Sequence, residues 1–160
     1  MEIANHQCSN PSMRPAPFSG LPSSLVAQRF LIRAGQYRAQ AILLADMEGF
    51  EPNWPKYFLL THAIELAINA FLVFEPGTRG GSKKPENHDL MELYEEAVRR
   101  GLKCDALVLK DLPHLSELHK LHYARYPRIE AKPVALISQF DDMVEQLFAD
   151  VRQALGVFGR

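Results

Sequence analysis

Cysteine is nearly absent: Cys8 and Cys104 are the two in 160 residues, and they form neither a CxxC pair nor a zinc-finger spacing. A disulfide framework and a thiolate zinc site are therefore excluded, and the expectation is of reduced thiols in a cytoplasmic protein. An excess of charge is also missing. Eighteen Lys and Arg against nineteen Asp and Glu give a formal net charge of -1, so any contact with nucleic acid has to use a local patch rather than bulk attraction. The start, MEIANHQCSN, has neither the basic stretch nor the apolar core of a signal peptide, and no apolar run has the length and clean flanks of a membrane span. No membrane association is expected. Runs of alternating β-branched residues are lacking too, and with them the usual sign of strands.

What remains is helical periodicity. Residues 1–21 carry Pro11, Pro15 and Pro17 without an apolar period and read as a flexible arm, leaving 22–157 as a single domain. A first helix opens at Ser23 or Ser24 as cap and repeats Val26, Phe30, Ala34, Tyr37, Ala41 and Leu44 on one side, ending near Gly49. The second, from about Pro55 to Phe74, is the most apolar segment and should lie at the centre. A linker rich in Gly and Pro, with Arg79, Lys83 and Lys84, separates it from a third helix at NHDLMEL, where Asn87 or Asp89 serves as cap and Gly101 as stop. The linker has no Gly-Lys-Ser/Thr ending and is not a P-loop. A fourth helix should open at KDLPHL, with Asp111 or Leu112 before Pro113 at the first helical position, and run to Tyr126 before Pro127. A fifth follows Pro133, with Ile137, Phe140, Val144, Leu147, Val151 and Leu155 as its stripe. The predicted fold is all-α, an up-and-down helical bundle of four to five helices.

Polar residues interrupt two apolar faces. On the second helix His62, Glu65 and Asn69 share a narrow arc, with Thr61 at its edge and Phe58 and Leu72 closing it at either end. On the fourth, the face of Leu112, Leu115 and Leu118 continues into His119, His122, Arg125 and Tyr126. Unpaired charge is costly to bury, so the two windows should meet, with Glu65 bonded to Arg125 or His122. Three roles suit such a cluster. It can be a structural ion pair; it can bind a nucleotide or other anion, with Lys120, His122, Arg125 and Arg128 supplying positive charge; or it can hold a metal. His62-x-x-Glu65, His114-x-x-Glu117 and His119-x-x-His122 have helical ligand spacing. The further glutamates that bundle metal sites draw from other helices are missing, so neither a metal nor another cofactor is expected.

Three segments in order, HAIELAINAFL, HDLMELYEEAVRRG and LHYARYP, resemble the HEPN superfamily of small helical domains, in the branch with a terminal Arg-Tyr-Pro, over roughly residues 23–157. The resemblance implies a helical bundle that forms homodimers, a nucleotide or RNA ligand, and a nucleotidyltransferase as partner. Its RNA-cleaving members carry Arg followed four to six residues later by His. Here Arg125 is followed by Tyr-Pro-Arg-Ile-Glu, and no Arg has a His at that distance. The expected function is thus a non-ribonucleolytic module whose ligand site comprises His62, Glu65, Asn69, His119, His122, Arg125 and Tyr126. Two alternatives stand beside it. One is a divergent ribonuclease or nucleotide-modifying toxin, with His119 or His122 as general base and Arg125 stabilising charge. The other is a purely structural or protein-interaction module.

Overall fold

The structure, a computed structural model, describes residues 20–74, 88–120 and 135–156. Among these residues the chain is an all-α bundle of five helices: α1 (Ser23–Ile42), α2 (Trp54–Val73), α3 (Leu90–Arg99), α4 (Ala106–Lys120) and α5 (Asp141–Ala154). The expected flexible arm lies outside the described residues except for its last two. Helix α2 is the hub, packing against α1, α3, α4 and α5. Its apolar residues are buried on every side, including Ile64, Leu66, Ala67, Ile68 and Leu72. By length and composition this helix is one that can cross a bilayer, but its side chains are mostly enclosed by the other helices.

The helix boundaries follow from local chemistry. Asn53 caps α2, its side chain accepting from Lys56 N–H at 3.2 Å, and Pro55 fits the first turn where no N–H is needed. Asp89 caps α3 by accepting from Met91 and Glu92 N–H. Gly101 follows the last turn of α3 with φ +105°, and two bonds close the end: Gly101 N–H to Val98 C=O and Leu102 N–H to Ala97 C=O. That pair is the Schellman arrangement, and the buried Leu102 side chain locks it against the core. Helix α5 is entered through a 3₁₀ turn, Ile137–Phe140, that starts the expected stripe.

Four boundaries differ from the sequence reading. Helix α1 begins after Pro22 with no side-chain cap, because Ser23 is buried and the Pro22 carbonyl takes the Leu25 and Val26 N–H groups. It ends at Ile42 rather than near Gly49, so Leu44 lies beyond the helix. The interval holds a two-residue antiparallel ladder, β1 (Met47–Glu48) with β2 (Glu51–Pro52), too short for any alternation to register in the sequence. Gly49 supplies φ +66° at the first position of its turn.

The fourth difference is at α4, which starts seven residues earlier than expected. Asp105 accepts from Leu107 N–H at 2.9 Å and opens the helix, leaving Pro113 inside it. Pro113 cannot donate to the carbonyl one turn back, at Leu109, but Leu109 is on the exposed side where water can solvate the released group. Val108, Leu112 and Leu115 are fully buried and hold the helix through the proline.

Polar ties secure the connections. Asp46 accepts from Lys56 Nζ at 2.6 Å and from Ser138 Oγ, joining the α1–α2 connection to α2 and to the 3₁₀ turn. Tyr94, buried on α3, accepts from Asp105 N–H at 3.1 Å and so fixes the start of α4. Because α2 is packed on all sides, no neighbouring helix can close a gap in it without losing contacts of its own. Ile64→Ala is therefore expected to destabilise the fold by about 2–5 kcal/mol, read as a lower midpoint with unchanged m in urea denaturation.

Candidate functional site

The polar window on α2 is buried. Glu65 is 5% exposed, Asn69 2% and Thr61 2%, and all three sit within the bundle. A run of Leu, Ile and Ala surrounds them because the helix is central, so each polar group needs a partner from a facing helix. The partner from α4 is His119, itself 6% exposed. Its Nε2 lies 3.1 Å from Glu65 Oε2, and its Nδ1 lies 3.1 Å from Thr61 Oγ1. A second imidazole comes from just ahead of α3: His88 Nδ1 is 2.9 Å from Glu65 Oε1. The His88 side chain is largely exposed, so it forms the outward wall of the cluster. The His88 and His119 rings meet edge to face, 6.4 Å apart.

His62 stands on a third side, with Nδ1 3.6 Å from Glu65 Oε2, beyond hydrogen-bond range. Its ring packs edge-on against Tyr37 at 4.7 Å and parallel to Phe58 at 5.8 Å. Both His62 Nδ1 and Asn69 Oδ1 are buried without a hydrogen-bond partner among the described residues.

Three imidazoles around one carboxylate set its charge. Burial alone pushes the Glu65 carboxyl toward the neutral form. The facing imidazoles of His119, His62 and His88 outweigh it and hold the group well below the ordinary carboxylate range. Glu65 is an anion in the folded protein.

The position of His88 is fixed by its neighbour. Asp89, besides capping α3, accepts from Ser116 Oγ at 2.9 Å and from Lys120 Nζ at 2.9 Å. Two residues of α4 thereby clamp the start of α3 one turn and less from His119, which brings His88 over Glu65. Burial opposes ionisation of Asp89 as well, and the bonds from Lys120, Ser116 and the Glu92 N–H overcome it to lower its pKa.

Of the residues selected from the sequence, His62, Glu65, Asn69 and His119 fall on the described helices. Glu65 and His119 meet directly, and His62 borders them. His122, Arg125 and Tyr126 lie outside the described residues, as does the expected bond from Glu65 to Arg125 or His122. The sequence reading left His88 out of the site, taking His88-Asp89 mainly as a cap and otherwise as a helix N-terminus that attracts anions. No periodicity singles it out, because it precedes the first turn of α3.

The row Thr61–His119–Glu65 has the outline of a hydroxyl, a base and an orienting carboxylate. It is not a nucleophile site. The Thr61 hydroxyl is 2% exposed, and the Tyr57 carbonyl at 2.9 Å competes for its proton, so it is not presented to a substrate. No protein-family model, curated protein or solved structure matches the chain.

The depressed pKa of Glu65 has a definite consequence for stability. Relative to an ordinary value of 4.5, its contribution is complete above the unfolded pKa and is lost as pH falls toward the folded one. Wild-type protein should therefore lose stability steadily as pH drops below about 4.5, measured by denaturant titration at each pH. In Glu65→Gln that part of the slope should vanish, with about 3–5 kcal/mol lost at neutral pH because His119 and His88 are left facing an amide.

Proposed function

We propose that the chain is a HEPN-like helical module that binds a nucleotide or other phosphate-bearing ligand and does not cleave RNA. The observation that carries this reading is the set of buried polar groups on one face of α2 that the described fold leaves incomplete. Among the described residues Asn69 Oδ1 has no hydrogen-bond partner, and His62 Nδ1 has only its 3.6 Å approach to Glu65, on the same helix face as that anion. Native interiors leave few such atoms unpaired, and a bound molecule is one ordinary means of completing them. A nucleotide suits both ends of the task. Its exocyclic amines and sugar hydroxyls are donors for Asn69, and its phosphates suit the basic run of Lys120, His122, Arg125 and Arg128.

Exclusion of ribonuclease activity rests on the sequence, which has no Arg with a His four to six residues after it. The burial of His119 argues in the same direction, because a general base must reach a substrate proton. Adding mono-, di- and trinucleotides to the purified protein should raise the melting temperature with at least one of them, with a dependence on ligand concentration that gives Kd. Arg125→Ala should abolish the shift while leaving the unliganded melting temperature unchanged. An absence of any shift with all phosphate ligands removes the proposal, and RNA cleavage lost in His122→Ala replaces it with the enzyme reading.

A cytoplasmic homodimer is part of the same reading. Ile42, Leu43, Met47 and Phe50 are large apolar side chains exposed in succession at the end of α1 and along the short β ladder, with Phe50 wholly uncovered. An apolar run of that kind on a bundle face is the material of a two-fold interface. Light scattering is expected to give twice the chain mass for the wild type and one chain mass for Phe50→Glu, with no loss of helical signal. The resemblance also implies a nucleotidyltransferase partner, to be tested by co-purification of the two chains.

A further inference from the structure

His119 stands between two partners, and its tautomer decides which of them it donates to. Its Nδ1 lies 3.1 Å from Thr61 Oγ1, a hydroxyl that also reaches the carbonyls of Tyr57 at 2.9 Å and Phe58 at 3.2 Å, as threonines inside helices commonly do. Its Nε2 lies 3.1 Å from Glu65 Oε2. With Nδ1–H donating to Thr61, the Nε2 lone pair is turned to the carboxylate, and the space between them takes a proton or a metal ion.

The surroundings match the second option. Glu65, His88 and His119 each offer one ligand atom, and all three atoms lie within 4.8 Å of one another. His119 Nε2 lies 3.1 Å from Glu65 Oε2 and His88 Nδ1 lies 2.9 Å from the other oxygen, Oε1, so each imidazole is near the roughly 3.4 Å that separates neighbouring ligands of a tetrahedral zinc ion from one oxygen of the same carboxylate. Two of the three side chains are buried and held on rigid helices, and the third, His88, is exposed and gives the ion a way in. Thr61 plays the part that outer groups play around metals, fixing the tautomer and the ring plane through the far nitrogen. Two neutral imidazoles and one carboxylate are also a donor set preferred by zinc-type ions over magnesium or calcium.

We propose that Glu65, His88 and His119 form a binding site for a divalent transition-metal ion of the zinc class, with at least one coordination position left open toward solvent on the His88 side. The sequence pointed away from a metal because ligands were sought as helical pairs and additional glutamates. The third ligand instead lies before the first turn of α3, placed there by the Asp89–Ser116–Lys120 clamp. The inference stands on these residues whether or not a phosphate ligand binds.

The test uses full-length, tag-free protein with Cys8→Ser and Cys104→Ser, since the exposed Cys104 thiol can bind the same ions. After chelator treatment and dialysis, Co²⁺ and Zn²⁺ are titrated at pH 7.5, following the cobalt ligand-field spectrum and the heat of binding. One equivalent should bind, with a four- or five-coordinate cobalt spectrum. His88→Ala, which removes an exposed side chain and should fold normally, is expected to weaken binding by about 100-fold or more. His114→Ala, an exposed histidine away from the cluster, should leave it unchanged. Thr61→Val, which removes the tautomer constraint while keeping the side-chain shape, should weaken it by about 10–100-fold. No binding near one equivalent, or binding that His88→Ala leaves intact, overturns the site and assigns the Glu65–His119 contact to a proton.

Discussion

A buried anion at the middle of the most apolar helix governs how the rest of this bundle is arranged. Glu65 lies between the buried Ile64 and Leu66, and removing its charge from water is costly unless donors or cations face both carboxylate oxygens. One oxygen faces His119 from α4 and the other faces His88 from the entry to α3. The rotational setting of α4 against α2, and the path by which the chain enters α3, are thereby tied to a single carboxylate. Apolar packing alone tolerates sliding by a turn, whereas this contact does not, since the geometry of a charge-assisted bond has little slack.

The ties around Glu65 form a closed circuit. His119 is fixed on its far side by Thr61, which belongs to α2 again, and His88 is fixed by Asp89, which α4 holds through Ser116 and Lys120. Helices α2, α3 and α4 therefore brace one another through the polar groups around Glu65. The Schellman turn at Gly101, the Arg100 bond to the Leu72 carbonyl and the Tyr94–Asp105 contact brace the bundle elsewhere. A site placed inside such a circuit is preorganised: the side chains are already oriented before any ligand arrives.

The fold was largely legible in the sequence, since periodicity places five helical segments in order and hydropathy makes α2 central. The errors came where local rules yield to packing. Pro113 reads as a helix start, yet three buried residues on one face, Val108, Leu112 and Leu115, carry α4 through it. The β ladder at Met47–Pro52 is too short for periodicity to reveal. Within the candidate site, Glu65 and His119 were legible because they interrupt apolar faces. His88 was not, because it belongs to no face: its role depends on which helix lies opposite the end of a loop, and that is a property of the tertiary arrangement. The same gap in reasoning set a metal aside, for a ligand count restricted to helical spacing omits any ligand contributed at a helix entry.

The phosphate and metal readings make different demands on the same charges. An anionic ligand placed directly against Glu65 meets a carboxylate held in its ionised form, and repulsion in a partly dry site is strong. Positive charge from the basic run of α4 and beyond can offset this only if it lies nearer the ligand than Glu65 does. A divalent ion removes the conflict, because one carboxylate and two neutral imidazoles leave it with net positive charge facing the open side at His88. An anion arriving there would meet the cation first and Glu65 behind it. A cation held between Glu65 and its histidines would thus serve both proposals, balancing the buried carboxylate and presenting positive charge to a phosphate.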